Sequence, residues 1–254
     1  MASSRSRYVF SAPDGIELAW HELGSADAWP VLLLHGLFSD ADTNWIRFGH
    51  AAAIAGRGFR LILPDLRGHG TSAKPHDPAH YPPDVLAEDG LALVAHLGLV
   101  EYDLGGYSLG GRTAVRMVVR GAQPRRLVVA GMGLEGLLAT GPRAGHFKQI
   151  LEGLGTHERG SPEWMAEAFL KTTGGDPEAL LPLLDSFVDT SREELRSIAM
   201  PALVLAGADD DDNGSGEALA QLLGDGRYVE VPGNHMSAVT KPDLGTAIAD
   251  FLAS

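Results

Sequence analysis

The chain has 254 residues, with 33 acidic and 20 basic side chains, a formal charge of −13 and no cysteine. That charge disfavours phosphate backbones and anionic lipid surfaces, so neither a nucleic-acid nor a membrane partner is expected. The lack of cysteine removes disulfides, thiolate metal sites and a thiol nucleophile, and 32 glycines with 15 prolines stay under the roughly 25 to 30% that marks low-complexity chains.

The opening segment, Met1 to Gly15, holds no apolar core of about 7 to 15 residues, so no secretory leader is expected and the default location is cytoplasmic. Arg7 to Ala12 and Ile16 to Leu23 flank the turn Pro13-Asp14-Gly15 and read as an antiparallel hairpin at a sheet edge. Short apolar runs follow, each ending in turn chemistry: Val31 to Leu34, Phe59 to Leu63, Leu127 to Ala130 and Ala202 to Ala206. Such runs predict buried strands, and the helical patterns Leu86 to His96 and Gly111 to Arg120 lie between them. Strand and helix alternating in this way predict an α/β fold with a mostly parallel, doubly wound sheet. From Leu134 to Arg196 no strand pattern occurs, only helical stretches such as Glu163 to Lys171 and Pro177 to Phe187. This interval, 134–196, is expected to form a helical cap inserted in a single domain spanning 1–254. Val239 to Leu252 predicts a closing helix.

Gly106-Tyr107-Ser108-Leu109-Gly110 follows the strand-like Tyr102 to Leu104 and precedes a helix. A serine on so tight a strand-to-helix turn needs neighbours without side chains, and it presents its hydroxyl where helical N–H groups favour developing negative charge.

With this motif the sequence resembles the α/β-hydrolase family, over nearly the whole chain outside the cap. The resemblance implies Ser108 as nucleophile. It implies the strand followed by His35-Gly36-Leu37 as an oxyanion loop, with backbone N–H donors on Leu37 and Leu109. Asp65 to Gly70 with Ser72 matches a structural loop of the family, in which His69 is not catalytic. The base is expected at His235, after the strand Tyr228 to Val231 and the turn Pro232-Gly233-Asn234. The acid is expected shortly after Gly207; Asp210 is the choice, while Asp209, Asp211 and Asp212 stand beside it and an earlier position would nominate Glu135. The order Ser108, Asp210, His235 is the family's order.

Other motifs weaken on inspection. Gly131 to Gly136 fits G-x-G-x-x-G, but no strand follows it for some 60 residues, so no dinucleotide is expected. The run Asp209 to Gly214 imitates the start of a calcium loop, yet the twelfth position is Ala220 and not the required Glu. No metal and no cofactor is expected.

The resemblance implies carboxylic-ester hydrolysis of a small substrate through an acyl-serine. Sibling chemistries on the same scaffold include lactone, thioester and carbon–carbon bond hydrolysis, cofactor-free haloperoxidation and acyl transfer; a small-ligand receptor with slow turnover is the reading from outside catalysis. Met132, Leu134 and Leu137 are expected to line an acyl pocket, with His35, Gly36, Tyr107 and Met236 around it. Cap residues Phe147, Trp164, Phe169 and Phe187 offer an apolar roof, and Arg143, Arg159, Arg192 and Arg196 offer charge for a substrate carboxylate. The sequence carries no signal for oligomeric state.

Overall fold

The computed structural model describes residues 6–254; the first five residues of the opening segment lie outside them. Eight strands form one sheet: β1 (Ser6–Ser11), β2 (Glu17–Leu23), β3 (Trp29–Leu34), β4 (Phe59–Pro64), β5 (Asp103–Tyr107), β6 (Leu127–Ala130), β7 (Pro201–Gly207) and β8 (Asp225–Val231), in the order β1-β2-β4-β3-β5-β6-β7-β8. The hairpin β1–β2 is antiparallel and sits at one edge, β2 meets β4 antiparallel, and every later pairing is parallel.

Two-residue alternation sends side chains to the two faces of the sheet, and both faces are covered. Leu32, Leu34, Leu104, Val129 and Val204 join one core. Here they meet α2 (Val85–His96), α3 (Leu109–Val119) and α9 (Gly216–Leu222). Val31, Leu33, Val128 and Leu203 join the other, against α1 (His50–Ala55) and α10 (Pro242–Ala253). Between β6 and β7 the described chain is helical: α4 (Leu134–Leu138), α5 (Thr140–Glu152), α6 (Pro162–Thr172), α7 (Pro177–Asp185) and α8 (Arg192–Arg196). No helix among the described residues is long and apolar enough to cross a membrane.

Several elements depart from the sequence reading. The closing helix starts at Pro242 and not at Val239, because Val239 belongs to a single 3₁₀ turn and Lys241, before a proline, is extended. Helix α3 begins at Leu109, two residues ahead of the expected Gly111. A π-helical turn, Asp42–Ile46, closed by Arg47 N–H on Asp42 O at 2.8 Å, carried no recognised signal.

Candidate active site

The C-terminal ends of the parallel strands carry the site. Ser108 stands between β5 and α3 with φ 53° and ψ −114°, a left-handed backbone that a non-glycine residue holds only at a cost. Its neighbours explain why the motif is written in glycine: a Cβ on Gly106 would overlap the Gly110 carbonyl carbon, and one on Gly110 would overlap the Leu34 carbonyl oxygen. The Ser108 N–H donates to Ala130 O at 2.7 Å, which ties the turn to β6.

His235 Nε2 lies 3.0 Å from Ser108 Oγ, and His235 Nδ1 lies 2.9 Å from Asp210 Oδ2. Three residues far apart in sequence are thus brought into one chain of hydrogen bonds. Asp210 Oδ1 accepts from Asp212 N–H at 3.2 Å, and Tyr107 Oη donates to His235 O at 2.7 Å, so the acid's side chain and the histidine's backbone are each held by a further bond. Of the alternative acids, Asp209 and Asp211 are exposed, and Asp212 pairs with Arg143 Nη2 at 2.6 Å. Glu135 accepts from Ser215 N–H at 2.8 Å and braces the loop that carries Asp210.

Beside Ser108, the loop after β3 passes close enough that a Cβ on Gly36 would sit 3.5 Å from Ser108 Cβ. His35 fixes that loop: buried, it accepts the Leu66 N–H on Nε2 at 2.9 Å, and Nδ1 lies 2.8 Å from Gly36 O. The Leu37 and Leu109 N–H groups make no hydrogen bond among the described residues, Leu109 being the first residue of α3. A residue the sequence reading missed completes the loop. Asn44, buried on the π-helical turn, accepts the Gly36 N–H on Oδ1 at 2.9 Å, and its Nδ2 has no partner.

The expected pocket residues divide. Met132, just before α4, and Leu134 and Leu137 on it are buried, and Met236 stands exposed beside His235. His35 and Tyr107 are spent on backbone partners and offer substrate no free polar atom. His69 is buried, 5.0 Å ring to ring from His35, with Nδ1 near Arg67 O at 3.1 Å. The loop it belongs to is structural in its contacts: Asp65 accepts from Ala41 and Thr71 N–H groups, and Arg67 pairs with Asp89 and Asp14.

Two contacts fasten the cap to the site. Thr173 Oγ1, just past α6, donates to Phe38 O at 2.6 Å, and Arg143 of α5 reaches Asp212. Phe147 of α5 packs edge-on against Phe38 at 5.3 Å, with the Arg143 guanidinium 4.8 Å over its ring.

Asp210, Asp212 and His235 can bring three ligand atoms within 4.8 Å of one another. Those atoms are already engaged, His235 with Asp210 and Asp212 with Arg143.

The family profile described as alpha/beta hydrolase fold matches residues 30–129. This chain belongs to the α/β-hydrolase fold family. Among its relatives is a non-heme haloperoxidase of Rhodococcus erythropolis, 29% identical over 96% of this chain and 98% of that protein. The dihydrolipoyllysine-residue acetyltransferase component of the acetoin cleaving system of Pseudomonas putida is 34% identical over 76% of this chain, which spans 55% of that longer protein. Of solved structures, the enol-lactonase from Burkholderia xenovorans superposes with a TM-score of 0.75 at 25% identity, covering 97% of this chain and all of that one. As an α/β hydrolase, the chain shares its scaffold with several activities, and its own is argued from the site.

Proposed function

We propose that this α/β hydrolase is a serine hydrolase that cleaves carboxylic esters of small substrates through an acyl-serine intermediate. The observation that carries this reading is the continuous hydrogen-bonded series Ser108 Oγ, His235 Nε2, His235 Nδ1, Asp210 Oδ2. A serine hydroxyl is a weak nucleophile until a neutral imidazole takes its proton, so Ser108 attacks the ester carbonyl while His235 acts as base. Asp210 keeps the proton on Nδ1, which leaves Nε2 free to accept, and stabilises the imidazolium that forms. The Leu37 and Leu109 N–H groups, unclaimed among the described residues, receive the oxyanion; such a donor typically contributes about 3 to 4 kcal/mol. His235 then protonates the leaving alcohol, and a water activated by the same ring releases the acid.

The ester reading is tested with p-nitrophenyl esters from acetate to palmitate, wild type against Ser108→Ala. We expect turnover on short acyl chains that falls to the background rate in the variant. Folded wild type no faster than Ser108→Ala on every ester, and on lactones, would overturn the reading.

Asn44 acts as a positioning residue in this scheme, because its Oδ1 fixes the loop that presents the Leu37 N–H. Asn44→Ala is expected to lower kcat about 10²-fold with KM little changed, the scale of a displacement near 1 Å. A KM effect with intact kcat would assign Asn44 to substrate binding instead.

A further inference from the structure

The arginines buried in this chain are paired, with one exception. Arg67 has Asp14 and Asp89 within 2.7 Å, and Arg116 has Asp84 at 2.5 Å. Arg112, on α3 one turn past Ser108, is 5% exposed and has no carboxylate within ion-pair distance among the described residues. Its guanidinium donates from Nη2 to Gly136 O at 3.0 Å and stacks 4.9 Å from the Phe187 ring centre, while Nε is buried without a partner. Burial, with the cation of Arg143 behind it, pushes this guanidinium down to about 10, and Asp189 offsets part of that. An isolated cation in such surroundings is costly unless something compensates it.

Arg112 borders a half-open cavity of about 20 Å³, lined by residues at the start of α2, on α3 and in the segment Ser186 to Val188. Its charged walls are Arg112, Arg116 and Asp84. The Asp84 carboxylate is committed to Arg116 through both oxygens, so the walls carry one unmatched positive charge. A cavity needs roughly 10 to 15 Å³ to hold a water, so this one has room for a water or a monatomic ion beside the guanidinium. A water would accept from Nε without cancelling the charge. We infer that this cavity is a binding site for a single halide ion, chloride in ordinary solution, held by Arg112 between α3 and the cap. The ion ties the helix that follows Ser108 to the chain leaving α7.

The test uses bromide as probe. Crystals of the whole protein grown in sodium bromide at tens of millimolar are expected to show an anomalous peak beside Arg112 Nε. In solution, replacing isethionate by bromide at constant ionic strength is expected to raise the thermal midpoint by about 5 to 10 °C as bromide reaches 100 times its Kd. Arg112→Met is expected to abolish that rise, and Arg112→Lys serves if the first variant does not fold. A water and no anomalous peak in the cavity overturns the proposal, as does a peak only at molar bromide without stabilisation, which is an adventitious ion only.

Discussion

Asp210→Asn is expected to lower kcat on a reactive ester by about 10⁴-fold while the protein stays folded. The asparagine keeps the volume but presents an amide to His235 Nδ1, 2.9 Å away in the native site, so the ring no longer needs its proton there. The proton moves to Nε2, the atom 3.0 Å from Ser108 Oγ, and the imidazole can no longer accept from the nucleophile. Asp211→Asn is the control: that side chain is exposed and makes no bond to His235, so its loss should leave kcat within about twofold, as surface changes usually do. Steady-state kinetics of the pair decides the matter. A variant at position 210 that keeps a tenth of the activity, or a larger loss at 211, would remove Asp210 from its role.

Acid should unfold this protein in two stages, the first of which begins unusually high. Burial holds His35, His50 and His69 below the ordinary imidazole value, His69 down to about 3. Their surroundings show why: His50 Nδ1 and His69 Nε2 are buried without partners, and His35 Nε2 is already an acceptor for a backbone N–H. In the unfolded chain each ring takes up a proton near pH 6.5 that the folded chain refuses. The unfolded state therefore binds more protons, and stability falls as pH drops below about 6.5, continuing toward the folded values. A ring whose protonation is wholly refused contributes ~1.4 kcal/mol per pH unit, the upper limit for each. A second stage follows below about pH 4. Burial would raise the Asp65 carboxyl, but hydrogen bonds from His21 and from the Ala41 and Thr71 N–H groups outweigh it and hold the group below the usual range, so its contribution is lost as it protonates. Urea unfolding at pH 8, 7, 6 and 5 measures the first stage. Equal stability at pH 7 and 5 would refute it, and His50→Gln should make the slope shallower.

Much of this site is legible in the sequence because its signals are local. The glycines around Ser108 announce a backbone that only glycine tolerates nearby, and His235 follows a strand and a Pro-Gly turn within a few residues. Asn44 had no such announcement. Its partner is the N–H of Gly36, eight residues back, and the π-helical turn that aims it has no sequence signature. Helix α5 was equally hidden, since Gly141, Pro142 and Gly145 all argue against a helix. Its first residue is held from outside, Thr140 donating through N–H and Oγ1 to Asp189 Oδ1 at 2.7 Å across 49 positions. Strand β8 begins three residues before its apolar pattern does, because Asp225 to Arg227 lie at the sheet's open edge, where nothing demands hydrophobic side chains.

The contacts from Thr173 to Phe38 and from Arg143 to Asp212 join the cap to the two loops that flank Ser108 and His235. An outward swing of α5 and α6 would break both, while Asn44 on the Gly36 N–H and Glu135 on the Ser215 N–H would still hold the two loops, so the surroundings of the nucleophile are secured independently of those helices.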